Sequence, residues 1–78
     1  MRDSGGDLFA ELRRVTAMWN GYDDIPKSQQ GLCRSIGLRL HALGGIALMR
    51  EAYYDAKAAN PDVHVIQAYW DGIGDWRW

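Results

Sequence analysis

The sequence predicts an all-α fold, a small bundle of three to four short helices followed by an aromatic, glycine-rich tail. Apolar residues recur at helical spacing in segments separated by glycine, asparagine and proline. Apolar residues also make up 47% of the 78 residues, including four Trp and four Tyr. This is enough for one compact domain spanning residues 1–78. Because so small a domain buries only roughly 60% of its unfolded surface, a homodimer partner could complete its core.

The first helix is predicted from Gly5 to Asn20. Ser4 can cap it, and Asp7 can supply the acidic half of a capping box. The sequence Asn20-Gly21 ends the pattern, because glycine readily adopts the left-handed conformation found after helices. The apolar stripe of this helix is formed by Leu8, Leu12, Val15 and Trp19, with Phe9 beside it.

A loop over Tyr22–Ile25 leads into the second helix, where Pro26 suits the first turn. Gly31 and Gly37 each cost this helix about 1 kcal/mol relative to alanine. Close approach of a neighbouring helix or of a partner would compensate for that cost. The face predicted to be buried consists of Leu32, Ile36, Leu40 and Leu43.

Gly44-Gly45 should break or sharply bend the second helix. A third helix then follows and should stop near Ala59. Its buried face is predicted to contain Ile46, Met49, Tyr53 and Ala56.

The segment after Asn60 fits two structures. Asn60-Pro61-Asp62 is typical of a helix start, and Val63, Ile66 and Trp70 would share one face of a fourth helix. The alternative is an α+β fold with a C-terminal hairpin, because residues 63–70 are rich in strand formers and Asp71-Gly72 could form its turn. We favour the helix. The glycine-rich residues 72–78 should fold back, so that Ile73 and Trp76 cover the core.

The single cysteine, Cys33, excludes an internal disulfide and favours a reducing compartment. The polar start of the chain lacks the apolar run of a signal peptide, and no stretch approaches the roughly 20 apolar residues of a membrane span. We therefore expect a cytoplasmic protein without a membrane partner.

Nothing in the sequence indicates an enzyme, a cofactor or a metal. Cys33 and His41 lie two helical turns apart, too far to ligate one ion, and Cys33 is better explained as a small core residue. The serines and histidines occur in no nucleophile signature. Neither Gly44-Gly45 nor Gly72-Ile73-Gly74 lies in a phosphate-binding loop. We predict no catalytic residues.

Charge is distributed unevenly along the chain. Residues 26–50 carry four cations and no acid, whereas residues 51–78 carry five acids and two cations. The two halves could attract each other within the fold, or the basic half could face a partner. Lys27, Arg34 and Arg39 on the second helix are the candidate residues for nucleic-acid binding. The net charge of −1 makes this the alternative function, since phosphate contacts supply most of such affinity.

The C-terminal segment concentrates large aromatic and acidic side chains. Trp and Tyr dominate protein–protein contacts, and acids add electrostatic attraction to a basic surface. The candidate partner-binding residues are Tyr69, Asp71, Asp75, Trp76 and Trp78.

Residues 36–50, IGLRLHALGGIALMR, and residues 70–76, WDGIGDW, together resemble small proteins encoded by phages, prophages and proteobacterial genomes. That resemblance implies no activity and carries over no functional residues. Chains of this size and setting include the anti-CRISPR proteins, which block host defence complexes by binding them. The link is one of class and size. It suggests a phage-type inhibitor in the cytoplasm of a bacterial host cell. Such an inhibitor would bind a host protein complex, such as a CRISPR effector, stoichiometrically and so block target-DNA binding.

Overall fold

A computed structural model describes residues 4–20 and 25–77, and its regular elements are all helical. Helix α1 spans Ser4–Thr16 and helix α2 spans Lys27–Ala59. A 3₁₀ turn at Pro61–Val63 leads to the short helix α3, Ile66–Trp70. The described residues form no β-strand, so the all-α prediction is confirmed and the alternative of a C-terminal hairpin is wrong.

The turn after α2 explains why helix prevails over strand at the C-terminus. The Asn60 side chain accepts a hydrogen bond from the backbone N–H of Asp62 at 3.1 Å, and Pro61 occupies the first position of the 3₁₀ turn. This arrangement satisfies the first free donor and uses the fixed φ angle of proline. Val63, Ile66 and Trp70 then become fully buried, as the helical pattern predicts.

Helix α1 ends at Thr16, earlier than the predicted Asn20. The amide of Asn60 donates hydrogen bonds to the carbonyls of Thr16 at 2.9 Å and Trp19 at 3.0 Å. Because the side chain of a residue distant in the sequence satisfies these carbonyls, the helix can end before the glycine. Gly21 and the predicted loop residues 22–24 lie outside the described residues.

The predicted second and third helices form one helix, α2, which begins after Pro26, ends at Ala59, where the third helix is predicted to stop, and is kinked at Gly45. Gly45 has φ 68° and ψ −159°, a conformation that is essentially restricted to glycine. The predicted bend at Gly44-Gly45 is therefore confirmed. It redirects the second half of α2, so that this half packs against the tail.

One continuous hydrophobic cluster forms the core, and it draws on α1, both halves of α2, α3 and the tail. Most predicted core residues are buried, and Val15 and Ile46 are partly buried. The predicted burial of Leu32 and Leu43 is wrong, since their exposed fractions are 46% and 54%. The buried positions of the first half of α2 are Cys33, Ile36, Gly37 and Leu40.

Cys33 and Gly37 of α2 face inward, and the Trp70 ring fills the space next to them. A Cβ built on Gly37 would lie 2.5 Å from Nε1 of Trp70, and this Nε1 donates a 2.8 Å hydrogen bond to the Cys33 carbonyl. The predicted compensation for a helical glycine, close approach by a neighbour, therefore holds at Gly37. At Gly31 no described atom lies within 4 Å of the position that a Cβ would take, so no neighbouring helix of the chain compensates there, and close approach of a partner stays a prediction.

The tail folds back over the core, as predicted. Gly72 and Gly74 have φ angles of 90° and 57°, and the N–H of Gly72 bonds to the Trp76 carbonyl at 3.0 Å. Ile73 and Trp76 are buried as a result. Gly74 also lies against the His41 ring, where a Cβ would come within 2.2 Å of Nε2.

Helix α2 meets a length and composition criterion for a membrane span, with a mean hydropathy of 1.2 over its most apolar window, of which 28% is buried. The expectation that no stretch comes near this threshold is thus too strong. The same helix carries Arg34 and Arg39, bends at Gly45 and contributes Ile36 and Leu40 to the core. The cytoplasmic location stays a prediction.

Candidate functional site

The ionisable residues provide no metal site among the parts of the chain that the structure describes, where no group of three His, Cys, Asp or Glu side chains converges. Cys33 is fully buried, so its prediction as a core residue is confirmed. Burial raises the pKa of the Cys33 thiol to about 12, and contact with Trp70 opposes this only in part. A thiol in this environment stays protonated and is not an activated nucleophile.

The predicted partner-binding residues separate into two places. Tyr69 is half-buried and meets the ring of Trp19 edge-on, with ring centroids 5.8 Å apart. Asp71 and Asp75 are exposed. Trp76 is only 7% exposed, so it offers a partner little area of its own. Trp78 lies outside the described residues.

The first of these places is the end of α3, at Tyr69 and Asp71, which Arg34 of α2 contacts. Its guanidinium donates to the backbone carbonyls of Tyr69 at 2.7 Å and Asp71 at 3.1 Å. Cations are favourable at the C-terminal end of a helix, where carbonyls lack partners. Arg34 of the basic half therefore contacts the acidic half through backbone carbonyls at the end of α3, and its role here is structural.

The second place is a groove of about 250 Å³ between the second half of α2 and the chain end, which we call the tail groove. Helix α2 contributes one wall, and α3 and the tail contribute the other. Its lining consists of Ile46, Arg50, Tyr53 and Tyr54 on one side and Gln67, Asp75, Trp76 and Arg77 on the other. The kink at Gly45 immediately precedes the first of these residues and so sets the direction of the wall.

Aromatic packing holds the floor of the tail groove in place. The Trp76 ring lies edge-on to Trp70 and Tyr53, with centroids 5.1 Å and 6.3 Å apart. Gln67 donates to the Tyr53 hydroxyl at 3.2 Å, and Lys57 lies 5.8 Å from the centroid of the Tyr53 ring. Tyr54 packs against Tyr53 and remains 58% exposed. The groove is therefore preformed, with one tyrosine at its rim.

Three polar groups of the tail groove have no partner within the described part of the chain. The indole N–H of Trp76 is buried and donates no hydrogen bond there. The guanidinium groups of Arg50 and Arg77 form no hydrogen bond or ion pair with those residues either. An unmade hydrogen bond from a buried donor costs about 1–3 kcal/mol, and this cost falls on the Trp76 N–H, whereas the exposed guanidinium groups of Arg50 and Arg77 are open to solvent.

Sequence reasoning identified Asp75 and Trp76 but missed Arg50, Tyr54 and Arg77. Arg50 and Tyr54 lie four residues apart on the predicted third helix, a spacing that places them on one edge. That signal was present in the sequence. Their meeting with Arg77 depends on how the tail folds back, which no local pattern encodes.

The candidate nucleic-acid residues are distributed over different surfaces. Lys27 is exposed at the start of α2, and Arg34 is bonded to the end of α3. Arg39 lines a second groove, of about 420 Å³, between α1 and α2, together with Asp7 and Glu11. The rest of that lining is Leu8, Ala42 and Leu43. The three cations therefore do not form one basic strip, since Arg34 lies on backbone carbonyls and Arg39 shares a groove with two carboxylates.

Comparison with known proteins gives no relative from which a function could be transferred. No family model, curated protein or solved structure matches this chain significantly.

Proposed function

We propose that this chain is an interaction protein that acts by stoichiometric binding, with the tail groove as its contact surface. One observation carries the proposal: Arg50, Tyr54 and Arg77 converge on a single preformed groove, whose floor is held by the buried ring of Trp76. Arg, Tyr and Trp are the residue types that supply most of the energy of protein–protein association. Such residues act best when they are held rigidly, because less entropy is lost on binding.

The size of the tail groove favours an inserted side chain over a metabolite. Its volume of about 250 Å³ lies below the roughly 300–1,000 Å³ of most small-molecule sites. A partner would therefore bury one or two side chains in the groove and cover its rim, which includes Tyr54. Asp71 and Asp75, exposed on the same tail, would meet basic residues of that partner.

The concrete form of this proposal is a phage-type inhibitor of a host defence complex, namely an anti-CRISPR protein that blocks target-DNA binding. A CRISPR effector grips DNA through basic surfaces, and the exposed acids of the tail suit such a surface. The size and class of the chain support this form. The partner-binding role of Trp78 remains part of the prediction.

The test is a titration of the protein against a purified CRISPR effector, with target-DNA binding measured by fluorescence anisotropy. We expect inhibition to saturate at one or a few copies per complex. Tyr54→Ala should weaken inhibition by at least tenfold, whereas Leu38→Ala, a change at an exposed residue outside the groove, should not. Both variants remove exposed side chains, so both should fold.

Two outcomes would contradict the proposal. Inhibition far below stoichiometric amounts would indicate turnover. Absence of binding to any defence complex would remove the basis for the anti-CRISPR assignment.

A further inference from the structure

We propose that the tail groove binds a carboxylate-bearing segment of the partner protein, with an Asp or Glu side chain seated between Arg50 and Arg77. This inference rests on the proposed function, since it names the chemistry of the partner at the same site. Its starting point is the lining of the groove, which contains two arginines and one aspartate. The groove therefore carries a net positive charge, although the whole chain has a net charge of −1.

The donors in the groove match a carboxylate. Guanidinium groups bind carboxylates through paired N–H···O contacts, which are shorter and stronger than neutral hydrogen bonds. Arg50 comes from α2 and Arg77 from the tail, so a bound anion would join both walls. Neither guanidinium is engaged within the described residues, and both are exposed. Binding would thus break no ion pair among those residues.

The buried indole of Trp76 adds a second, independent observation. Its N–H has no acceptor among the described residues, although Trp76 is a lining residue of the groove and only 7% exposed. The other two tryptophans described are satisfied, Trp70 by the Cys33 carbonyl and Trp19 by the Gln29 side chain. Because the nitrogen itself is buried, an acceptor on the partner would reach it only if the side chains around Trp76 shift on binding, and the hydrogen bond then made would favour the bound state.

The apolar lining specifies what surrounds the carboxylate. Ile46 and the Tyr54 ring provide an apolar edge beside the arginines. A segment in which an acidic residue neighbours a leucine-like residue would use both parts of the groove. The low polarity of that edge strengthens the charge contact by excluding water.

A protein segment fits this site better than a nucleic-acid strand. A strand carries a phosphate at every nucleotide and needs a continuous track of cations. Asp75 lies within the groove, and Glu51, next to Arg50, is exposed. These two acids would repel a chain of phosphates. A single carboxylate in the groove meets two arginines and one aspartate, so attraction outweighs repulsion there.

The test uses three probes with the full chain in an NMR titration of its backbone amides. The probes are the peptide acetyl-Ala-Leu-Glu-Glu-Leu-amide, the same peptide with both Glu replaced by Gln, and single-stranded oligothymidylate. We expect the Glu peptide to shift signals around the tail groove and to bind at least tenfold more tightly than the Gln peptide. Arg50→Gln and Arg77→Gln should each weaken that binding at least tenfold, and Arg39→Gln, in the other groove, should leave it unchanged.

Equal binding of the two peptides, or no binding of the Glu peptide, would overturn the carboxylate inference. Tighter binding of the oligothymidylate, lost in the same variants, would replace it with a nucleic-acid site. Two further outcomes distinguish failure of the carboxylate inference from failure of the proposed function. If a CRISPR effector is inhibited equally by wild type and Arg77→Gln, only the carboxylate inference is wrong. If the Glu peptide binds but no defence complex does, only the inhibitor proposal is wrong.

Discussion

The indole of Trp70 lies directly on Gly37. A Cβ at position 37 would come within 2.5 Å of Nε1 and 2.7 Å of Cδ1 of the ring, and the same N–H bonds to the Cys33 carbonyl one turn earlier. This contact joins α2 to α3, and Trp70 in turn packs against Trp76. The floor of the tail groove therefore depends on a glycine in the first half of α2.

Substitution of the two glycines of α2 by alanine should have opposite effects. Gly37→Ala forces a methyl group against a buried ring and should lower the free energy of unfolding by about 1–3 kcal/mol. Gly31→Ala meets no atom within 4 Å and should raise it by roughly 0.5–1 kcal/mol through better helix propensity. Urea denaturation of both variants checks this. Equal stabilisation by the two changes would show that Trp70 does not pack on Gly37.

Asn60 should be essential for the end of α1. Its amide donates to Thr16 and Trp19, and its oxygen caps the turn at Asp62. Asn60→Asp keeps the capping oxygen but loses the amide donors and places a negative charge beside the carbonyl end of α1. It should therefore lower the free energy of unfolding by about 1–3 kcal/mol, at least as much as Asn60→Ala. Thermal melting at neutral pH is the measurement, and a wild-type melting temperature for Asn60→Asp would exclude a contribution from the amide.

The Cys33 thiol should be inert in the folded protein. Burial raises its pKa from an ordinary 9.0 to about 12, so at pH 8 only about one molecule in ten thousand carries the thiolate. Reaction with a disulfide reagent should be slow in buffer and fast in denaturant. The pKa of Cys33 is higher in the folded than in the unfolded protein. The contribution of its buried thiol to the free energy of unfolding is therefore complete below pH 9 and is lost as the pH rises toward 12. Rapid reaction of the native protein at pH 8 would indicate that the contact between α2 and α3 around Cys33 opens readily.

Local chemistry predicts much of this fold. The Gly45 kink, the end of α2 at Ala59, the cap at Asn60 and the back-folded tail all follow from residue types that restrict or free the backbone. The errors arise where a distant residue intervenes. Leu43 fits the apolar stripe by size, but Trp70 of α3 packs on Gly37, the buried positions of this half of α2 are Cys33, Ile36, Gly37 and Leu40, and Leu43 stays exposed.

In the candidate site, too, local signals are predictable from the sequence and contacts between distant residues are not. Trp76 and Asp75 stand out in the sequence because aromatic and acidic residues are concentrated in the tail. Arg50 and Arg77 are far apart in the chain and become neighbours across the groove only through the kink and the glycine turns. Charge counted along the chain assigns the tail an acidic character, whereas the folded groove is basic.

The most direct test of the tail groove as the binding surface is the set of indole N–H signals in an NMR spectrum of the ¹⁵N-labelled protein, recorded with and without a saturating CRISPR effector. The signal of Trp76 should move, because its N–H gains an acceptor or a changed environment at the contact. The signals of Trp19 and Trp70 should stay, since both N–H groups already donate within the fold. Movement of the Trp19 or Trp70 signal with an unchanged Trp76 signal would place the contact elsewhere and contradict the tail groove as the binding surface.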